Sequence, residues 1–199
     1  DSDTPSTDVL EFVEIKSVAP NFSLNGYVLV FYNGNSNSST GNKSYFSISL
    51  DGVTTDTNGI ALIGNEGVSP YPDKIFFNST IENGADAVAL YVGSALEFPI
   101  GTLAHQNNLI DVLFHHTNDA APTALMQLLG ASVQYNETVS TSIQRKADGT
   151  YENKTPTPGM PNDGSGNIFN KITISTPLSQ YTEGQNFNIK FATQFPNIK

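Results

Sequence analysis

The 199-residue chain contains no cysteine and no tryptophan. The lack of cysteine excludes disulfide bonds, thiolate metal sites and a cysteine nucleophile. Without disulfide bonds, the sequence does not indicate the redox compartment of the protein. A chain of this length needs no such cross-links, because compact domains commonly run to roughly 100–150 residues and already bury a sizeable core. The sequence therefore predicts one main domain that its own core stabilises, with room for a fragment of a second.

Basic residues are also scarce, because 9 Lys and Arg face 19 Asp and Glu and the formal net charge is −10. Nucleic acids are bound through Lys and Arg, and no basic run is present, so we expect no nucleic-acid partner. Charged residues make up only 14% of the chain, while Asn, Ser, Thr and Gly fill the gaps between apolar runs. This composition is typical of a loop-rich, secreted β protein.

Long hydrophobic runs are missing as well. No apolar segment approaches the roughly 20 residues that a membrane-spanning helix needs, and no hydrophobic signal sequence stands at the start. Residues 1–8 are polar and low in complexity, so we interpret them as an N-terminal tether or an ordinary mature N-terminus.

The clearest structural signal is the apolar segment 27–32, which lies between the pairs Asn25-Gly26 and Asn33-Gly34. A short run rich in Val, Phe and Tyr fits a buried strand better than a helix, and Asn-Gly readily adopts the positive φ angles of tight turns. We expect one face of each strand to point inward. The predicted core includes Val28, Val30, Ala87 and Ala89.

The remaining segments predict an all-β, antiparallel sandwich with one short helix. Segment 33–44 is almost wholly Gly, Asn, Ser and Thr and is predicted to form an exposed hairpin loop. The helix is predicted at 122–130, with Pro in its first turn and Gly at its end. The run 155–162 contains three prolines and cannot lie inside a sheet. The other predicted strands are 9–15, 45–50, 60–64, 75–77, 85–92, 109–114 and 142–145.

The last part of the chain, 164–199, begins with a linker-like composition. Segments 171–175 and 187–192 then alternate apolar with polar residues, as the two strands of a hairpin would. We interpret 164–199 as a linker and the truncated start of a second β module, which leaves 9–163 as the sandwich. The alternative is an extra pair of strands that belongs to the sandwich itself.

Several motifs in fixed order resemble the lamin-tail domain as it occurs in bacterial secreted proteins. They are FVEI at 12–15, SLNGYVLVFYNG at 23–34, NGADAVALY at 83–91, IDVLFHHTNDA at 110–120, SIQRKADG at 142–149 and TPTPGMPN at 155–162. The resemblance covers roughly residues 9–163. The chain departs from the family pattern in lacking the tryptophans near the start and the usual Asn-Glu-Ile opening.

This resemblance implies an immunoglobulin-like antiparallel β-sandwich and a binding role. Lamin-tail domains of nuclear lamins are binding modules, and bacterial examples lie beside secreted nucleases, phosphatases or surface domains without supplying catalytic residues. We therefore expect a non-catalytic binding or adhesion module, extracellular or on a bacterial cell surface, with a protein or surface glycan as its ligand. The alternative is an accessory domain of a secreted hydrolase whose catalytic domain lies outside this segment.

Four potential transition-metal ligands fall close together in sequence: His105, Asp111, His115 and His116. Imidazole and carboxylate groups are suitable ligands for zinc or iron. However, adjacent residues of a strand point to opposite faces, so His115 and His116 cannot both reach one ion. We expect no transition-metal site here and no cofactor.

The sequence also contains weak candidate ligands for calcium, namely Asp51, Asp56 and Asn58. These loops are rich in oxygen donors, but they lack the alternating acids and terminal Glu of a dedicated calcium loop. Turn formation by Asx residues is the alternative interpretation. Two further loops share this composition: Asp1, Asp3 and Asp8, and Asn162, Asp163 and Asn167.

Other patterns carry less weight. Segment 34–44 resembles a phosphate-binding loop only faintly, since an Asn separates its last Gly from the Lys and no helix follows. No Gly-x-Ser-x-Gly elbow is present, and the three His have no patterned Ser or Asp partner.

Exposed tyrosines could form a binding platform or cap a sandwich; the candidates are Tyr32, Tyr45, Tyr71 and Tyr151. Asn-x-Ser/Thr sequons, relevant only in a glycosylating host, begin at Asn21, Asn37, Asn42, Asn78, Asn136 and Asn153.

Overall fold

The computed structural model describes residues 1–3, 7–163, 173–175 and 190–192. The chain divides into two compact units, Asp1–Gly166 and Asn167–Lys199. The described part of the chain contains no helix with the length and apolar character that crossing a membrane requires.

The regular secondary structure described in the first unit is mostly β-strand. The strands are β1 (Phe12–Lys16), β2 (Tyr27–Asn33), β3 (Lys43–Ser49), β4 (Ile60–Gly64), β5 (Lys74–Ile75), β6 (Asp86–Val92), β7 (Leu109–His116), β8 (Tyr135–Asn136), β9 (Ser142–Arg145) and β10 (Tyr151–Lys154). A 3-10 turn at Ala95–Glu97 and one α-helix, α1 (Thr123–Leu129), complete it. The predicted helix is thus confirmed, and it ends at Gly130, which adopts a left-handed φ of 71°.

Two sheets form the sandwich. The larger has the strand order β3-β2-β6-β7-β8, and the smaller has the order β1-β4-β5. β9 and β10 form a separate antiparallel hairpin. The all-β sandwich with one short helix is therefore confirmed, although its sheets are mixed: β4–β5 and β7–β8 pair in parallel. The second strand of each parallel pair, β5 or β8, is only two residues long. Each of these two strands follows a connection that brings the chain back in the same direction, as parallel pairing requires.

β2 lies between β3 and β6 in the larger sheet and is buried on both faces. Leu29 and Phe31 belong to the core between the two sheets, whereas Val28 and Val30 belong to a second core beneath α1. This arrangement explains the uninterrupted apolar run, since a strand with both faces covered does not alternate. The expectation that one face points inward is wrong for β2. The predicted core residues are confirmed, because Val28, Val30, Ala87 and Ala89 are fully buried.

The two Asn-Gly pairs that bracket β2 play different roles. Gly26 adopts a positive φ of 78°, as the predicted turn requires. Gly34 does not adopt a positive φ; instead, a Cβ at this position would overlap the carbonyl oxygen of Ala85 and lie 2.6 Å from Cβ of Pro122. Close backbone packing, not turn geometry, accounts for glycine there.

Asp1 and Ser2 are packed against the sandwich. The Asp1 nitrogen donates to Phe12 O, and Phe12 N donates to Asp1 O, both at 3.1 Å. Ser2 is buried. Further along, Ser79 N donates to the carbonyl oxygen of Asp8 at 2.8 Å. Backbone hydrogen bonds therefore hold Asp1 and Asp8, and the interpretation of residues 1–8 as a tether stays a prediction.

The second unit contains two described strands, β11 (Thr173–Ser175) and β12 (Lys190–Ala192). They pair antiparallel, with Ile174 opposite Phe191. The hairpin-like pairing predicted for this segment is confirmed over these residues. The assignment of 164–199 to a second module stays a prediction.

Candidate functional site

The first unit has a groove of about 1020 Å³ between β1 and the β9–β10 hairpin. We call it the lateral groove. Its lining includes apolar side chains from the larger sheet, among them Leu29, Val88, Leu90 and Leu113. The groove follows from the unequal sheets: the smaller sheet has three strands and the larger has five, so the smaller sheet does not cover all of its partner.

β1 presents its free edge to this groove, because it is the outer strand of the smaller sheet. Ser17 N donates to Gly59 O at 2.8 Å, and Asn65 N donates to Glu11 O at 2.9 Å. Antiparallel strands alternate bonded and non-bonded pairs, so the odd-numbered residues of β1 direct their N–H and C=O groups to β4. The backbone polar groups of Phe12, Glu14 and Lys16 consequently point the other way, along the free edge.

Only the first position of this edge is paired within the described residues. Asp1 and Phe12 exchange two hydrogen bonds, which is the pattern of a bonded antiparallel pair. No described strand other than β4 pairs with β1. Among the described residues, no backbone group pairs with Glu14 or Lys16 on this edge.

The hairpin forms the opposite wall. Gln144 lies opposite Glu152 in the β9–β10 ladder, and Lys146 N donates to Thr150 O at 2.7 Å. Alternation then places the backbone groups of Ile143 and Arg145 on the other edge of β9. Both residues line the groove. The lateral groove therefore lies beside two strand edges, one from each wall.

A buried polar cluster closes one end of the groove. The Ser2 backbone N donates to both Glu137 carboxylate oxygens, at 3.2 and 3.1 Å, and Ser2 Oγ also donates to Glu137 Oε2. The Asp1 amino group lies 3.7 Å from Glu137 Oε1. Ser2 Oγ is 3.5 Å from His115 Nδ1. All three side chains of the cluster, Ser2, His115 and Glu137, are buried.

This cluster contains the residue types of a Ser-His-acid triad but not its geometry. In a triad the imidazole accepts the serine proton, and the carboxylate orients the imidazole from its far side. Here the Ser2 hydroxyl donates to the carboxylate of Glu137 instead. Burial lowers the pKa of His115 to about 4, so the ring is neutral near pH 7. The arrangement holds Ser2 against Glu137 through its backbone N–H and its hydroxyl.

Two buried polar atoms that line the lateral groove have no hydrogen-bond partner among the described residues. They are His115 Nε2 and Gln144 Oε1. Most buried polar groups in native proteins are hydrogen-bonded, so each exception calls for an explanation. A ligand with its own donors and acceptors would supply partners for both.

Glu14 adds an unusual carboxyl group to the wall of the groove. Its Oε1 accepts a 2.6 Å hydrogen bond from the backbone N–H of Gly159. Burial raises the pKa of Glu14 to about 7, and the Gly159 hydrogen bond opposes the rise. The charge of this wall therefore changes close to neutral pH.

The predicted transition-metal residues are not brought together. His115 and His116 differ in environment, since His115 belongs to the buried cluster and His116 is only half-buried. His105 stacks on Phe98 with ring centroids 5.5 Å apart, and Asp111 forms a 3.2 Å ion pair with Arg145. No group of three or more His, Cys, Asp or Glu side chains in the described residues is arranged to hold a metal ion.

The weak calcium candidates serve separate turns. Asp51 accepts from Gly26 N at 2.8 Å and from Ser49 Oγ at 2.9 Å, and these bonds lower its pKa. Asp56 Oδ1 accepts from the backbone N–H groups of Asn58 and Ile60, each at 2.8 Å. The Asp56 bonds are the local hydrogen bonds of an Asx turn, whereas the Asp51–Gly26 bond joins two turns that are 25 positions apart in sequence. Of the other oxygen-rich loops, Asn167 lies outside the described residues.

The tyrosines do not form one exposed platform. Tyr32 is fully buried and donates to Tyr91 Oη at 3.1 Å, so its predicted exposure is wrong. The reason is that both faces of β2 are covered. Tyr45 is half-buried and accepts from Glu82 N at 3.2 Å, whereas Tyr71 is exposed. Tyr151 packs against Tyr135, with ring centroids 4.8 Å apart.

The structure also gives the position of the loop 34–44 and the exposure of the sequon asparagines. The loop joins β2 to β3 through turns, with no helix after it. Asn42 adopts a positive φ of 59° within it. Among the sequons, the asparagine is exposed at Asn21, Asn37, Asn78 and Asn153 and half-buried at Asn42 and Asn136.

Sequence reasoning missed several residues of the lateral groove, notably Ser2, Glu14, Glu137 and Gln144. Ser2 and Glu137 are 135 positions apart in sequence, and no local pattern signals such a contact. Gln144 was assigned to a strand without a role. A charged residue in the middle of an apolar strand, as at Glu14, was the one available signal.

Comparisons of the chain with protein-family models, with curated proteins and with solved structures gave no match.

Proposed function

We propose that the sandwich is a non-catalytic binding module and that its ligand occupies the lateral groove. The observation that carries this proposal is the combination of an apolar groove with an unpaired strand edge and two unpartnered buried polar atoms, His115 Nε2 and Gln144 Oε1. Ligand sites are typically concave and largely apolar, with a few placed polar groups. The lateral groove has these properties.

A binding role is favoured over hydrolysis by the hydrogen bonds of the buried cluster. The Ser2 hydroxyl donates to the Glu137 carboxylate, whereas in a catalytic triad the hydroxyl donates to the imidazole, which here lies at 3.5 Å. Further support comes from the resemblance to lamin-tail domains and from the polar, loop-rich composition. We accordingly assign the module to the outside of a bacterial cell, either secreted or on the surface.

Mutation of the groove tests this proposal. The probes are a display library of random linear peptides and a glycan array, each presented to the full chain. Ile143→Arg places a charge in the groove, and Leu96→Arg is the matched control because Leu96 is 91% exposed and does not line the groove. We expect at least one class of probe to bind, and Ile143→Arg alone to abolish that binding.

Two results would overturn the proposal. One is the absence of binding to either probe set. The other is turnover of a phosphodiester, phosphomonoester or ester substrate by the full chain that Ser2→Ala removes. Circular dichroism of each variant confirms that it remains folded.

A further inference from the structure

We propose that Asn83-Gly84 is a site of spontaneous covalent modification, at which the Asn83 carboxamide loses ammonia and is converted to aspartate and isoaspartate. This inference goes beyond the proposed binding function and does not depend on it. Asparagine is a thermolabile residue, and the reaction is fastest before glycine, which has no Cβ to obstruct the attack of its own backbone nitrogen. The chain contains four such Asn-Gly pairs, at 25–26, 33–34, 58–59 and 83–84.

The reaction requires an available backbone nitrogen on the residue after the asparagine. The Gly84 nitrogen loses its proton and bonds to Cγ of Asn83, the Cγ–Nδ2 bond breaks, and ammonia leaves with that proton. Water then opens the resulting succinimide ring. Addition of water at Cγ gives aspartate. Addition at the main-chain carbonyl carbon gives isoaspartate, whose link to Gly84 runs through the former side chain.

At three of the four pairs, a hydrogen bond holds the glycine nitrogen. The three bonds run from Gly26 N to Asp51 Oδ1 at 2.8 Å, from Gly34 N to Asp86 Oδ1 at 2.7 Å and from Gly59 N to Asp56 O at 3.0 Å. Gly34 and Gly59 are also buried. Each of these nitrogens must lose its hydrogen bond before it attacks, which requires a local opening of the fold.

The asparagine side chains of two of these pairs are held as well. Asn25 Oδ1 accepts from Gly52 N, and Asn33 Oδ1 accepts from Asn35 N, each at 2.7 Å. Both distances are short for an N–H···O hydrogen bond. These bonds fix the orientation of the carboxamide, so its Cγ does not turn freely towards the nitrogen of the next residue.

The pair Asn83-Gly84 lacks these restraints. It lies in the loop before β6, and Gly84 N donates no hydrogen bond within the part of the chain that the structure describes. Asn83 is exposed and Gly84 is half-buried, so water reaches the pair. The Asn83 carboxamide donates to Asp8 Oδ2 over 3.4 Å, a distance at which a hydrogen bond is weak. The fold therefore protects three pairs and leaves the fourth open to reaction.

The modification changes contacts between this loop and its neighbours. Asn83 O accepts a 2.5 Å hydrogen bond from Thr117 Oγ1, directly after β7. In isoaspartate this carbonyl becomes a free carboxylate. In aspartate, the side chain no longer donates to Asp8. Either product adds a negative charge to a loop that already carries Glu82.

Ageing of the full chain tests the inference. The chain is incubated at mildly alkaline pH, folded and in concentrated urea, and is then digested with pepsin at acidic pH. Mass spectrometry of the peptides measures the replacement of –NH2 by –OH at each pair, and enzymatic methylation identifies isoaspartate. The ratio of the folded to the unfolded rate at each pair removes the effect of the residues that follow it in sequence.

We expect Asn83 to react in the folded chain within about threefold of its rate in urea, and the other three pairs to react at least about tenfold more slowly when folded. Gly84→Ala is the matched variant, because its methyl group obstructs the attack and makes only ordinary contacts, the nearest at 3.4 Å to Asp86 Oδ2. It should slow the reaction at Asn83 about tenfold or more, which corresponds to a small increase in the barrier, and leave the other three rates unchanged.

Three results would overturn the inference. The first is a rate at Asn83 that folding suppresses as strongly as at the other pairs. The second is a reaction at Asn25, Asn33 or Asn58 of the folded chain that is as fast as at Asn83. The third is an equal rate at Asn83 in Gly84→Ala and the parent chain. None of these rates involves a peptide or glycan probe, so this inference and the proposed function fail separately. Circular dichroism establishes that Gly84→Ala is folded.

Discussion

The backbone N–H of Gly34 donates a 2.7 Å hydrogen bond to Oδ1 of Asp86, and both residues are buried. This contact ties the end of β2 to the start of β6, its neighbour in the larger sheet. Burial raises the pKa of Asp86 to about 7, and its Oδ2 has no partner among the described residues. Two predictions follow from this pair, one steric and one electrostatic.

Gly34→Ala should destabilise the fold by roughly 2–4 kcal/mol, because the new methyl group overlaps the Ala85 carbonyl oxygen and crowds Pro122. Gly84→Ala is the control. A Cβ on Gly84 would make only ordinary contacts, the nearest at 3.4 Å to Asp86 Oδ2, and should cost less than about 1 kcal/mol. Urea unfolding at neutral pH measures both. Equal costs for the two variants would contradict the role given to Gly34.

Asp86→Asn should change how stability depends on pH. A carboxyl group whose folded pKa is raised binds its proton more tightly in the folded state, so its contribution is fully present below pH 4 and is lost as pH rises to about 7. Asparagine does not ionise. The unfolding free energy of Asp86→Asn relative to the parent chain should therefore rise by roughly 2–4 kcal/mol between pH 4 and pH 8.

Urea unfolding at several pH values checks the Asp86 prediction. A difference for Asp86→Asn that stays constant across this pH range would show that the pKa of Asp86 is not raised in the fold.

Glu11→Ala should cost about 3–5 kcal/mol, because three buried donors would lose their acceptor. The fully buried Glu11 carboxylate accepts from Thr80 N and Ile81 N, each at 2.9 Å, and from Asn65 Nδ2 at 3.2 Å. It thereby joins the start of β1 to the loop before β6. Glu66→Ala, at an exposed position, should be neutral within about 0.5 kcal/mol. Similar melting temperatures for the two variants would refute this account of Glu11.

Val30→Asp should unfold the domain or cost more than about 4 kcal/mol, since it leaves an unpaired charge in the interior. Val30 is fully buried in the core beneath α1. Val92→Asp is the matched control at the end of β6, where the side chain is 42% exposed. Circular dichroism and thermal melting distinguish them. A folded Val30→Asp with near-native stability would place that face of β2 in contact with solvent.

Local patterns were sufficient to predict the central elements. The apolar runs predicted β2 and β6, and Pro122 with Gly130 predicted α1, because these signals act within a few residues. They did not predict that α1 covers one face of β2, which is why Tyr32 was wrongly expected at the surface. Which element covers a strand is decided by tertiary packing, and a single sequence does not encode it in any local period.

The lateral groove was beyond prediction for the same reason. It depends on the difference in strand number between two sheets and on contacts such as Ser2–Glu137. The candidate transition-metal ligands lie near one another in sequence. In the fold, however, His105 stacks on Phe98 and Asp111 forms an ion pair with Arg145. Residue types that favour a site do not make one when the strand geometry separates them.

The position of β1 at the edge of its sheet has a consequence for the exchange of its amide hydrogens with solvent. Val13 and Ile15 donate towards β4, and Phe12 donates to Asp1 at 3.1 Å, whereas Glu14 and Lys16 face the groove. Exchange in deuterated water should therefore alternate along one strand, slow at Phe12, Val13 and Ile15 and fast at Glu14 and Lys16. Residue-resolved exchange by NMR would measure this alternation directly.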